Sequence, residues 1–138
     1  SLNALENVEL PLIYRGIGRE ERRRLSAAAL QKVGLEKRMD HRPAEMSGGQ
    51  QQRVAIARAI AAAPPVILAD EPTGNLDKRS GADVMEILRG LWREGRTVIL
   101  ITHDPKIAES ARRVVTISDG KIIGDETKTE SEMAAKVG

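Results

Sequence analysis

The sequence predicts an α/β fold: parallel strands joined by a crossover helix, a helical region before them and a β-hairpin after them. Three observations carry this prediction. Two short apolar runs, residues 66–69 and 97–102, read as strands buried on both faces, because neither alternates with polar residues. Between them, Val84, Ile87, Leu88 and Leu91 form one stripe of an amphipathic helix running to Arg93. A strand, a helix and a parallel strand make one right-handed crossover. Finally, Asp119-Gly120 stands between two strand-like stretches, residues 114–118 and 121–125, a strong hairpin signal.

The other elements follow in order. Residues 2–13 mix apolar and polar positions and run into Pro11, which predicts a short helix or turn. Gly16 and Gly18 break the chain. Residues 19–33 read as a helix, with Leu25, Ala28, Ala29, Lys32 and Val33 at helical spacing and Gly34 as its stop. Residues 35–43 form a basic connection, and nothing before Pro43 reads as a buried strand. The chain is helical again from Gly49, where Ser47 followed three residues later by Gln50 is a capping-box pattern. Asp77 caps the crossover helix and Gly95 stops it. Residues 105–112 predict a short helix with Ile107, Ala108 and Ala111 facing inward, and residues 130–137 a last one.

Composition bounds the function classes. At 138 residues, with 41% hydrophobic and 30% charged side chains, the chain has the balance of one soluble globular domain or part of a larger one. With no Phe, one Trp and one Tyr, the core must be aliphatic. The absence of Cys excludes disulfides and thiolate metal sites, and fits a reducing compartment. No apolar run approaches the ~20 residues that span a bilayer, and no signal peptide opens the chain. A formal charge of +2 is too small to argue for nucleic acid. The Arg-rich residues 19–24 include Glu20 and Glu21 and read as a solvated helix face.

Chemistry concentrates at two places. Asp70 and Glu71 end the first apolar run, and the carboxyl ends of strands in open α/β sheets are where ligands bind. One acid there can hold a divalent cation, directly or through water, and the next can orient a water for attack on phosphorus. An acidic pair that merely closes a strand and starts a turn is the competing reading. At the second place, Gly48 and Gly49 at a helix start let backbone N–H groups approach an anion, where the helix dipole favours negative charge. A helix merely capped by Ser47 and Gln50 competes with that reading.

Taken together, the motifs resemble those of the ATP-binding-cassette (ABC) ATPases. Met46-Ser47-Gly48-Gly49-Gln50-Gln51-Gln52-Arg53 is similar to the family's signature motif, although Met46 stands where Leu is usual, a tolerable apolar exchange. Val66-Ile67-Leu68-Ala69-Asp70-Glu71 resembles the Walker B strand, and Gly74-Asn75-Leu76-Asp77 the D-loop. Ile99-Leu100-Ile101-Thr102-His103-Asp104 resembles the switch strand that ends in the family's His. The four motifs stand in family order, with one helix between signature and Walker B. Leu5-Glu6-Asn7-Val8 and Ala69-Asp70-Glu71-Pro72-Thr73-Gly74-Asn75-Leu76-Asp77 resemble the MacB/LolD-like branch, which serves macrolide export and lipoprotein release.

The resemblance implies a partial P-loop NTPase (ABC ATPase) core with parallel strands, a C-terminal hairpin and an N-terminal helical subdomain. Residues 1–48 would form that subdomain, ending in the signature motif, and residues 49–138 the later part of the core. It further implies ATP and Mg²⁺ as cofactors. Asp70 would join the Mg²⁺ shell, Glu71 would orient the attacking water, and His103 would contact and sense the γ-phosphate. Ser47, Gly48 and Gly49, with Gln50 at the same helix start, would meet ATP held by a second ATPase domain, and Asp77 would work across that dimer interface. Arg53 could support the signature helix, but reads first as an exposed helix residue. A transmembrane permease subunit would be the other partner, with no nucleic acid, placing the protein in the cytoplasm on the inner face of the cell membrane.

One feature departs from the family. No Gly-x-x-x-x-Gly-Lys-Ser/Thr occurs in these residues, and Gly120-Lys121 lacks both the preceding glycine and the hydroxyl. The family's adenine-stacking aromatic and its Gln loop would lie upstream of Ser1. The expectation is a transport ATPase represented here without its Walker A segment, the isolated chain being inactive. A non-catalytic fragment that binds no nucleotide by itself is the alternative. Soluble ABC proteins of ribosomes rank below these, since they usually carry Asn-His before the D-loop Leu-Asp, where this chain has Gly74-Asn75. Chromosome and DNA-repair ATPases split their cassette around a long coiled coil, and no heptad run occurs here.

Overall fold

The computed structural model describes residues 1–135, which divide into two compact units, Ser1–Ile99 and the residues from Leu100 onward. The first holds α1 (Ala4–Tyr14), α2 (Arg19–Lys32), α3 (Gly48–Ile60), β1 (Val66–Asp70) and α4 (Lys78–Arg93), and the boundary falls within β2 (Thr97–Ile101). The second holds α5 (Pro105–Ala108), β3 (Arg113–Ser118), β4 (Lys121–Thr127) and α6 (Glu130–Ala135).

The first unit begins with a helix that the sequence announces at its start. The Asn3 side chain accepts the Glu6 N–H at 2.8 Å, and Glu6 Oε1 accepts the Asn3 N–H at 3.0 Å. This reciprocal cap satisfies donors that a helix start otherwise leaves open. The helix then runs through Pro11 instead of stopping before it. Val8 and Leu12 on either side of Pro11 are fully buried, and their burial holds the helix together where the proline removes a donor. α1, α2 and α3 pack on one another, and α3 packs on α4. The core they form is aliphatic, as composition requires: Val8, Leu12, Leu30, Val33, Leu35, Val54, Ile60, Val84, Leu88 and Leu91 are all buried. Glu9 is buried among the helices and accepts a hydrogen bond from Arg22 Nε at 3.1 Å, which satisfies its charge.

The buried faces differ from the sequence pattern at two places. On α2, Ala28 and Lys32 are exposed, and the buried face is Ser26, Ala29 and Leu30, continued by Val33. α1 and α3 both contact α2, and Lys32 turns outward to an ion pair with Glu94 at 2.7 Å. The strands also differ from expectation. β1 and β2 pair in a two-stranded sheet, in parallel as expected, and the Thr97 N–H donates to the Pro65 carbonyl at 2.9 Å where the pairing begins. Yet only Ile67 of β1 is buried, Val66 and Leu68 being 50% and 63% exposed, and no residue of β2 is fully buried. Burial on both faces needs layers above and below, and β1 is covered on the Ile67 side alone.

The second unit contains the expected hairpin. β3 and β4 are antiparallel, with Val115 opposite Asp125 and Ser118 opposite Lys121, and a bulge follows Thr116. Asp119 and Gly120 both have positive φ, 51° and 75°, as a two-residue turn of this twist requires. Arg113 binds Asp125 through two hydrogen bonds, of 2.9 and 2.7 Å. α5 is shorter than expected, ending at Ala108, and Ile107, Ala108 and Ala111 are half-buried. α6 starts where the sequence placed it; the last two residues of that expected helix, 136 and 137, lie outside the described residues.

Candidate functional site

The N-termini of α3 and α4 meet, and the turn after β1 lies between the strand and that meeting point. Ser47 caps α3: its Oγ accepts the Gln50 N–H at 3.1 Å, and Gln50 Oε1 accepts the Ser47 N–H at 3.0 Å. The Gln50 side-chain oxygen is thereby engaged by its own helix start. Asp77 caps α4 by accepting the Ser80 N–H at 2.8 Å. That N–H above all, with the Ser80 hydroxyl and Arg79 adding to it, holds the Asp77 carboxyl below the usual carboxylate range.

The two starts touch through small residues. A Cβ placed on Gly49 would stand 2.9 Å from Ser80 Cβ and 3.0 Å from Ser80 Oγ, whereas one on Gly48 would meet only Leu76 Cδ2, at an ordinary 3.5 Å. Gly49 is buried and Gly48 exposed. Gly81, one turn into α4, leaves room for the Thr73 side chain, 3.5 Å from where its Cβ would be.

β1 delivers Asp70 and Glu71 to the rim of this corner, both exposed. Glu71 has φ 45°, a left-handed conformation that costs a non-glycine residue on the order of 1–2 kcal/mol. The chain turns out of the strand there. The Glu71 carbonyl accepts the Gly74 N–H at 3.2 Å, and the Thr73 carbonyl accepts the Leu76 N–H at 3.2 Å. Pro72 between them is buried and anchors the turn. Two successive turns thus carry the chain from the acids to the Asp77 cap. Ser47, Gly48, Gly49, Gln50, Asp70, Glu71 and Asp77 all lie in one unit of the fold.

His103 belongs to the second unit. It is exposed and follows β2, in a turn where the Asp104 N–H donates to Thr102 Oγ1 at 3.0 Å and Asp104 caps α5 through the Lys106 N–H at 2.9 Å.

Arg53 is not the exposed helix residue that its type first suggested, and its contacts agree with the supporting reading. Its side chain is 25% exposed and pairs with Asp83 of α4 at 3.1 Å, and its Nη1 would lie 3.4 Å from a Cβ at Gly34. It braces α3 against α4 and against the turn after α2. Sequence reasoning also missed Ser80, because a serine in the first turn of a capped helix reads as an ordinary helix-start residue.

Comparison with known proteins identifies the family. The family model for the ABC transporter matches residues 2–74. The chain is 51% identical over 136 residues to the macrolide export ATP-binding/permease protein MacB 2 of Yersinia pestis bv. Antiqua, covering 99% of this chain and 20% of that protein. It is 50% identical over 135 residues to MacB of Shewanella oneidensis, covering 98% of this chain and 21% of the relative. The chain therefore spans about a fifth of the length of these curated relatives. Among solved structures, it resembles the dimeric bacterial ABC transporter cassette MJ0796, with TM-score 0.76 and 46% identity over 91% of this chain and 56% of that one. A post-hydrolysis dimer of the same cassette, bound to ADP and Pi, matches with TM-score 0.77 at the same identity and coverage. The solved cassettes share the mixed α/β architecture, and the family model covers more than half of these residues: the chain belongs to the ABC transporter family.

Proposed function

We propose that these residues are the signature-to-switch part of an ATPase that drives transport, of the lipoprotein-release or macrolide-export type. The observation that carries this reading is the corner where the Ser47-capped and Asp77-capped helices meet beside a strand ending in Asp70 and Glu71. In this reading residues 1–48 are a helical subdomain that docks on a transmembrane permease subunit, and residues 49–138 belong to the catalytic core. The cassette lies in the cytoplasm against the inner face of the membrane. Among the described residues no helix is long and apolar enough to cross a membrane.

Each residue has a role suited to phosphoryl transfer, which depends on positioning and charge neutralisation more than on covalent chemistry. Glu71 accepts a hydrogen bond from the attacking water and orients it. His103 contacts the γ-phosphate. Ser47, Gly48 and Gly49, with Gln50 fixing the helix start, face ATP held by a second ATPase domain, and Asp77 acts at the interface of that pair. The dimeric cassettes of the solved relatives support a second domain. Among the described residues no group of three or more His, Cys, Asp or Glu is placed to hold a metal. Mg²⁺ suits such a site, because it is commonly held by one or two carboxylates with waters and substrate phosphates, and Asp70 is the exposed carboxylate at the strand end. When bound, Mg²⁺ would neutralise charge developing on the phosphates.

These 138 residues do not include the Gly-rich loop and Lys that cradle phosphates, and two copies would not supply one. The isolated chain is accordingly expected not to hold nucleotide, and activity belongs to a polypeptide that carries it within a complete cassette. In that full-length protein, Glu71→Gln should cut ATP turnover by ~10²–10⁴ while ATP still binds, because the amide keeps the shape but cannot serve as base. Turnover near the wild-type rate would remove Glu71 from this role. Calorimetric titration of Mg-ATP into the isolated chain checks the other half: saturable micromolar binding would show that the cradle is dispensable.

A further inference from the structure

The two glycines of the α3 start have different surroundings, and the difference assigns them different work. Gly48 is exposed, and a side chain there meets nothing closer than one flexible methyl, 3.5 Å away. Gly49 is buried, and a Cβ there would collide with Ser80 at 2.9 Å, closer than real Cβ atoms come to anything. Ser80 is restrained, because its backbone N–H donates to the Asp77 carboxylate at 2.8 Å and its Cβ is fixed to that backbone. We propose that Ser80 is a positioning residue: pressed against Gly49, it sets the start of the signature helix at a fixed distance from the Asp77-capped helix, so that the two motifs move as one body. Ser80 in its own chain is then reason enough for a glycine at position 49, beside whatever approaches it from another.

The contact ties the start of the signature helix to α4 at one position, Ser80 against Gly49, with Leu76 near Gly48 at an ordinary distance. A displacement of α4 by a fraction of an ångström is therefore transmitted to the cap of α3. Tightly packed contacts transmit strain in this way because close-packed interiors have no slack to absorb it. The consequence for nucleotide-driven pairing rests on the function proposed above; the packing itself does not.

The test separates the two. In the isolated chain, Gly49→Ala should lower the thermal midpoint by about 5 °C or more, and Gly48→Ala by much less. Ser80→Gly in the Gly49→Ala background should return most of the loss, measured against Ser80→Gly alone, because the glycine removes the atom that the new methyl strikes. Equal losses for the two glycine variants, or no recovery by Ser80→Gly, would overturn the contact. In the full-length protein, ATP-dependent dimerisation in a Glu71→Gln background is followed by light scattering, with ATP binding measured alongside. Gly49→Ala should weaken dimerisation at least tenfold without changing ATP affinity, and Ser80→Gly should restore part of it. Recovery of stability without recovery of dimerisation would leave the contact standing and refute the positioning role. If the Glu71→Gln protein itself fails to dimerise with ATP, the functional reading of the site has failed, while the stability result still decides the contact.

Discussion

The first unit and the hairpin unit are held together in different ways. All the buried apolar side chains of the described residues, from Ala4 to Leu91, lie in the first. Among the described residues of the hairpin unit there is none, and Ile117, Ile122 and Ile123 are each about two-thirds exposed. Its order comes from a β-ladder, a turn that fits its residues, and the paired Arg113 and Asp125. Such a two-stranded element is marginal by itself, and an exposed pair such as Arg113 and Asp125 adds little. The difference teaches where the chain can tolerate change. Residues before Leu100 are tied to a shared core, whereas those after it depend on neighbours in sequence.

The largest expected effect breaks that contrast open. Leu30 is fully buried among α1, α2 and α3, so Leu30→Ala should cost ~2–5 kcal/mol through lost transfer energy and the cavity left behind. Ile122, 69% exposed, should cost within ~0.5 kcal/mol when changed to Ala. Urea unfolding of both variants reads the comparison directly. A large loss at Ile122 would mean that the hairpin face is buried in solution, against a partner chain or a second copy.

The same contrast explains how much was legible in the sequence. Helix starts and stops were legible because their chemistry is local. Ser47 with Gln50, Asp77, Gly34 and Gly95 each act through atoms within a few residues, and each does what its type suggests. The Asn3 and Glu6 cap was equally local and would have turned the short helix or turn read over residues 2–13 into a firm helix. The hairpin was legible for the same reason, since Asp119-Gly120 fits only a few backbone shapes. Burial of strands was not. An apolar run states what a strand could bury, but whether Val66 and Leu68 are covered depends on layers that no local pattern specifies. Of the site, the acids at the end of β1 and the caps of α3 and α4 could be read from residue types. The Gly49–Ser80 contact and the Arg53–Asp83 pair are distant in sequence and exist only once α3 lies on α4.

A smaller effect sharpens the comparison from the acid side. The Asp77 carboxyl is held below its usual range chiefly by the Ser80 N–H, so its ionised form favours the folded state. For a group whose folded pKa is depressed, the stabilisation is fully present above the unfolded value, ~3.9 for Asp, and is lost as pH falls through the lower folded value. Asp77→Asn keeps a side chain that can cap a helix but removes the charge that the helix start favours. The variant should therefore be less stable than the parent chain at pH 7, and the gap should narrow as pH falls below ~4. Glu86, depressed chiefly by Arg93, and Asp125, depressed by Arg113, also lose stabilisation on acidification. They do so in both proteins, so the difference between the two unfolding curves isolates Asp77. The loss should fall on the first unit alone, because Asp77 holds the turn of α4 that carries Ser80 against Gly49. Amide exchange at the starts of α3 and α4 should quicken at pH 7 in the variant, while exchange in the hairpin stays unchanged. A gap that persists undiminished at pH 3 would show that the ionised carboxylate is not what steadies this corner.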